Sequence, residues 1–156
     1  MSVEIGDPAP DFTATTSDGQ TISLAGFKGK QSVVIFFYPS DNSPICTQEA
    51  CAFRDAYEDF VKIGAAVIAV SADSDETHRD FAAKKKLPYL MISDRGNALR
   101  KLFEVPSVMF VLPGRVTYVI DQEGIVRSKF VSQLFASQHV EEALKILRQL
   151  SSSADK

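Results

Sequence analysis

Hydrophobic and polar positions alternate along this chain in blocks that change period, and each block predicts an element. Gly6-Asp-Pro-Ala-Pro10 reads as an extended lead-in, because the residue before each proline is driven away from helix. Thr13–Thr16 and Thr21–Leu24 flank the turn Ser17-Asp-Gly19 and predict a hairpin. Val33–Tyr38 is an unbroken β-branched and aromatic run, the signature of a strand buried on both faces. Helical spacing of Ala50, Phe53, Tyr57, Phe60 and Val61 predicts a helix over Glu49–Ile63. Ser43 is placed to cap it, Pro44 suits a first helical residue, and Gly64 ends it. Ala65–Val70 is a second buried strand, and a charged helix capped by Ser74 or Asp75 runs to about Lys86. Tyr89–Ile92 gives a third strand and Asn97–Phe103 a short helix. Val116–Asp121 and Ile125–Val131 form a second hairpin around Gln122-Glu-Gly124. A helix from about His139 to Leu150 precedes a polar, flexible tail, Ser151–Lys156.

Strands alternating with helices require crossovers, hence a parallel portion of sheet, while the last hairpin adds antiparallel strands. The expected fold is therefore α/β: a thioredoxin-like domain over residues 1–150 with an N-terminal β-hairpin extension and a central mixed sheet flanked by helices. The 156 residues, 45% of them apolar, suit one such domain.

Charge narrows the function. A formal net charge of −3 with interspersed signs provides no basic field for nucleic acid. Apolar runs such as Val33–Tyr38 are far too short to span a bilayer. The first residues, Met-Ser-Val-Glu-Ile-Gly-Asp, carry neither a signal-peptide core nor an Arg/Ser-rich transit segment. This predicts a cytoplasmic protein or, alternatively, the mature form of a plastid one. His78 and His139 lie far apart in sequence and the two cysteines have C-x4-C spacing, so neither a metal nor another cofactor is expected. Both histidines read as surface or capping residues.

The cysteines, Cys46 and Cys51, follow directly after the buried strand, at the start of a helix. There the unpaired N–H groups and the positive end of the dipole favour thiolate, the reactive form. Five residues of ideal helix separate two Cα atoms by roughly 8.7 Å. Disulfides rarely exceed about 6.8 Å, so an intact helix forbids a Cys46–Cys51 bond. The same residues have ordinary readings: Cys46 and Cys51 as core packing, Ser43 as a helix cap, Arg115 as a surface arginine opening a strand. Glu49 reads as structural, Arg54 and Asp55 as a solvated pair, Lys84–Lys86 as a helix C-terminus, and Phe103, Phe110 and Phe135 as core.

Pro39-x-x-x-Ser43-x-x-Cys46 resembles the peroxiredoxin motif Pro-x-x-x-Thr/Ser-x-x-Cys. Cys46-Thr-Gln-Glu-Ala-Cys51-Ala-Phe-Arg-Asp is similar to the Q-type branch, also called bacterioferritin comigratory protein. Leu112-Pro-Gly-Arg115-Val-Thr-Tyr-Val-Ile-Asp121 is similar to the segment carrying that family's active-site arginine, and the likeness runs from Ile5 to Leu150. The resemblance implies a thiol peroxidase for hydrogen peroxide and organic hydroperoxides, monomeric, with no cofactor and recycled by thioredoxin or a similar dithiol. It further implies Cys46 as the peroxidatic and Cys51 as the resolving cysteine, in an intramolecular disulfide. Ser43 would supply a hydroxyl, Pro39 shape the pocket, and Arg115 stand beside the thiolate. Ser43 replaces the commoner Thr and Ile45 a frequent Gly, departures that bear on rate and substrate preference. A protein thiol–disulfide oxidoreductase fits less well, since it would use C-x-x-C. A peroxide sensor or redox-regulated binding protein would use the same pair.

Overall fold

A computed structural model describes residues 4–38, 44–94, 98–103, 107–108, 112–113, 116–131 and 136–154. Strands β1 (Thr13–Thr15) and β2 (Thr21–Ser23) form the expected N-terminal hairpin, followed by a 3-10 turn at Ala25–Phe27. Strand β3 (Ser32–Phe37) then enters the centre of the molecule. Helices α1 (Pro44–Asp55) and α2 (Tyr57–Lys62), strand β4 (Ala65–Ser71), helix α3 (Asp75–Lys85), strand β5 (Leu90–Ser93) and helix α4 (Ala98–Leu102) follow. The short strands β6 (Ser107–Val108) and β7 (Leu112–Pro113) pair with each other. Strands β8 (Val116–Ile120) and β9 (Val126–Val131) and helix α5 (Ala136–Ala154) complete the chain.

The main sheet runs β5-β4-β3-β8-β9. β3 and β5 lie parallel to β4, whereas β8 is antiparallel to both β3 and β9. This is the predicted mixed sheet, and it explains why β3 reads as apolar throughout: it pairs on both edges and packs on both faces. Val34, Phe36 and Tyr38 face a cluster completed by α1, α2, α3 and α5. Val33, Ile35 and Phe37 face the other, with α4 and the hairpin.

The helix begins at Pro44, the residue suited to a first helical position and five ahead of the apolar stripe read from Glu49, so Cys46 lies in its first turn. It also breaks at Ala56 (φ −96°, ψ 2°), with no proline or glycine to mark the place. The break shifts the helical phase: Phe60 stays buried, and Val61, expected in the core, is 53% exposed. At the far end, the backbone of Ser151–Ala154 continues α5 beyond Leu150.

The N-terminal segment is bound to both edges of the main sheet. Gly6 N–H donates to Val126 O and Val126 N–H to Asp7 O, at 2.8 and 2.9 Å on the β9 side. Thr16 bridges to Ile92, and Ser17 N–H donates to Met91 O at 2.9 Å on the β5 side.

Candidate active site

Cys46 is 1% exposed, packed into the cluster that contains Tyr38, Ala50 and Phe53. Cys51 is partly exposed, and the two sulfurs are not joined in a disulfide. They share the single helix α1, on faces turned ~140° from each other. The helix is held well beyond the thiols. Phe53 stacks on Phe36 with centroids 4.2 Å apart and rings 6° from parallel. Tyr89 Oη donates to Ala50 O at 2.7 Å, and Arg54 Nη1 donates to Lys85 O at 2.7 Å. Arg54 also pairs with Asp55 at 3.0 Å, as a partly solvated ion pair should. The hydrogen bond that Arg54 donates to Asp55, set against burial and supported by Cys51, Asp55 and Tyr89, raises the Arg54 pKa.

Three of the sequence-predicted site residues, Pro39, Ser43 and Arg115, lie outside the described residues, as do Phe110, Phe135 and the side chain of Ile45. Phe103 is core, fully buried against Phe37 and Tyr118. Lys84 and Lys85 occupy the last turn of α3, where cations complement the dipole.

Both histidines are fully buried, which corrects their reading as surface residues. The polar helix α3 buries only His78 and Phe81, so the imidazole serves as a core side chain. Its Nε2 lies 3.1 Å from Ile92 O, which can only accept, so Nε2 carries a proton. His139 belongs to the inward stripe of α5 with Val140, Ala143, Leu144 and Leu147. Its Nδ1 lies 2.7 Å from Thr117 Oγ1 and 3.4 Å from Glu49 Oε2. Glu49 is likewise fully buried, one helical turn after Cys46.

Sequence reasoning also missed Arg100. Only 8% exposed, its Nη2 donates to Tyr38 O at 3.1 Å, and its guanidinium lies 5.6 Å from the centre of the Phe37 ring. The Asp94 carboxylate accepts from Leu99 N–H at 2.8 Å and Arg100 N–H at 3.0 Å, fixing the start of α4. A short charged helix reads as solvated surface, and nothing local signals contact with a residue 62 positions earlier.

No group of metal-ligating side chains occurs among the described residues, and no described helix is long and apolar enough to cross a membrane. A cavity of about 460 Å³, lined in part by Pro8, Phe27, Lys28, Val33 and Ile120, lies at the end of β3 away from Tyr38.

The sequence pattern of the AhpC/TSA family matches residues 5–129. The chain is 49% identical over 146 residues to the chloroplastic peroxiredoxin Q of Sedum lineare, covering 93% of this chain and 78% of that one. The peroxidoxin BcpB of Mycobacterium tuberculosis superposes with a TM-score of 0.86 at 30% identity, over 94% of this chain and 97% of that one. A Xanthomonas campestris bacterioferritin comigratory protein, studied for its alkyl peroxide reduction activity, gives 0.84 at 28% identity over 96% and 98%. The curated relatives are named as chloroplastic proteins. That finding overturns the cytoplasmic expectation and points to a plastid.

Proposed function

Since the chain belongs to the AhpC/TSA family, and within it to the peroxiredoxin Q group of thiol peroxidases, we propose that it reduces peroxides through Cys46 and resolves the product through Cys51. The carrying observation is the placement of the two thiols: Cys46 in the first turn of α1, and Cys51 five residues on along the same unbroken helix.

The Cys46 thiolate attacks one oxygen of the peroxide, the O–O bond breaks, and the other oxygen leaves as hydroxide or alkoxide and takes up a proton. Cys46 is left as sulfenic acid. Stabilising the leaving oxygen needs donors aimed at the developing charge. In this reading the Ser43 hydroxyl and the Arg115 guanidinium supply them, and Pro39 shapes the approach. Arginine suits the task because its planar fork can hold two oxygens at once.

Resolution follows when the Cys51 thiol attacks the sulfenic sulfur, forming the disulfide and releasing water. An ideal helix keeps the two Cα atoms roughly 8.7 Å apart, so the start of α1, about residues 43–52, unwinds in the oxidised form. The Phe53 ring stacked on Phe36 supports a stop at that point, since it anchors the following turn to the sheet. A dithiol such as thioredoxin then attacks the exposed disulfide and restores both thiols, leaving its own pair oxidised. Substrates are hydrogen peroxide and alkyl hydroperoxides; the working unit is a monomer.

Intact mass after one equivalent of peroxide tests the scheme. Wild type should lose two hydrogens, Cys51→Ser should gain one oxygen, and Cys46→Ser should do neither. Blocked oxidation in Cys51→Ser with disulfide-free oxidation in Cys46→Ser would reverse the two assignments.

A further inference from the structure

We propose that Lys85 and Lys86, beside Arg54, form a cationic docking surface for the dithiol reductant of the Cys46–Cys51 disulfide, a protein with carboxylates around its attacking thiol. The inference rests on the reading that Cys51 ends each peroxide turnover in that disulfide.

A contact between distant elements builds this surface next to Cys51. Cys51 and Arg54 are three residues apart on α1, so their side chains are neighbours on one side of the helix. Arg54 Nη1 donates to Lys85 O at 2.7 Å, which brings the C-terminal end of α3 against α1 at this point. Tyr89 Oη, bonded to Ala50 O at 2.7 Å, fixes the following loop there too. The lysine run 84–86 therefore lies beside a partly exposed cysteine.

Oxidation does not carry Cys51 away from it. Phe53 and Arg54 lie beyond the segment proposed to unwind, held by the Phe36 ring and by Lys85 O. Three residues of chain reach roughly 10 Å at full extension, so Cys51 stays within that distance of Arg54 however the opened segment is arranged. The disulfide is thus presented at the edge of the lysine run.

Charge selects the partner. Asp55 pairs with Arg54 at 3.0 Å and Asp80 with Lys84 at 3.1 Å, whereas Lys85 and Lys86 have no carboxylate partner among the described residues. Lys86 is exposed, and it is the one non-glycine residue with positive φ (+55°) among the described residues. Glycine takes that helix-ending conformation without strain, whereas a side chain there is disfavoured. Complementing the dipole of α3 does not require that strain, since Lys84 and Lys85 already occupy its last turn. The whole chain carries a net charge of −3, so an acidic partner is repelled in general and attracted at this local excess of positive charge.

With the partner seated, its thiolate attacks the Cys51 sulfur, the S–S bond breaks, and Cys46 leaves as thiolate and takes up a proton. The partner's second thiol then loses its proton and displaces Cys51 from the mixed disulfide. Two protein thiols are restored and the partner's pair is oxidised.

The test is reduction of the peroxide-oxidised full-length chain by thioredoxin and, separately, by dithiothreitol, a small neutral dithiol that needs no docking surface. The double variant Lys85→Glu, Lys86→Glu should lower kcat/KM for thioredoxin about tenfold or more at low salt, and the deficit should shrink as salt rises. Its rate with dithiothreitol should match wild type. Lys86→Gly removes one charge and suits the left-handed backbone, so it should show a smaller loss in the same direction. If the double variant fails to fold by circular dichroism, Lys86→Gly decides by the same comparison of two reductants. Thioredoxin rates unchanged by these substitutions, or lowered in equal measure with dithiothreitol, overturn the docking surface. A wild-type disulfide that dithiothreitol opens and thioredoxin does not would overturn it as well, and leave peroxide reduction by Cys46 standing. If intact mass shows no disulfide after peroxide, the proposed resolution step falls, and this surface with it.

Discussion

The Glu49 carboxylate lies 3.4 Å from His139 Nδ1, with both side chains fully removed from solvent. The contact joins the helix that carries both thiols to the C-terminal helix and, through Thr117, to β8. A buried polar pair of this kind adds little to stability over an apolar replacement, but removing one partner leaves the other desolvated.

His139→Ala should therefore destabilise the reduced protein by about 2 kcal/mol or more, combining the lost partner with a cavity. If the start of α1 unwinds on disulfide formation, as proposed, the cost should be smaller in the disulfide form. Urea unfolding of both redox forms measures the difference; equal losses would show that α1 does not move away from α5.

Tyr89→Phe removes the donor at Ala50 O and nothing else of the ring. A buried hydrogen bond contributes about 1 kcal/mol net, and it supports only the wound helix. The disulfide should become harder to reduce by about 20 mV, read by equilibration with a dithiol redox buffer. An unchanged potential would place Ala50 outside the segment that rearranges.

Phe53→Ala empties the stack between Phe36 and Phe60 and should cost about 3 kcal/mol or more. Hydrogen exchange in α1 should then extend past Ala52 when the protein is oxidised. Protection that still ends at the same residue would assign the stop to another contact, such as Arg54 on Lys85 O.

Burial alone would raise the Asp121 carboxyl, but donors from Ile125 N–H, Arg127 and Glu123 N–H outweigh it and hold its pKa below the usual value. Because the folded value is depressed, the stability is present above the unfolded aspartate pKa, about 3.9, and is lost as pH falls through the folded one. Asp121→Asn should therefore lower stability at neutral pH by about 1 kcal/mol and have less effect in strong acid. Thermal unfolding at both ends of that range checks the sign.

The fold was legible where burial is periodic. β3 and β4 are continuous apolar runs, Ser74 caps α3 by accepting from Thr77 N–H at 3.1 Å, and Gly124 turns the last hairpin with φ +83°. The start of α1 was legible from the Ser43-Pro44 signal and not from burial, because its inward stripe is Cys46, Glu49, Ala50 and Phe53, and a buried glutamate reads as a solvated position. The same limit conceals the His139 contact and the Arg100 contact with Tyr38, since each joins distant parts of the chain whose local sequences look like surface. The two thiols stood out through their resemblance to a family motif. The groups that surround them are fixed by tertiary packing.

One short leader, bound at the start of β9 through Gly6 and Asp7 and against β5 at Thr16 and Ser17, occupies some of the backbone groups that two open flanks would otherwise offer to neighbouring molecules. If oxidation loosens α1 over the apolar face of the sheet, as proposed, these partly covered edges would limit strand addition between copies.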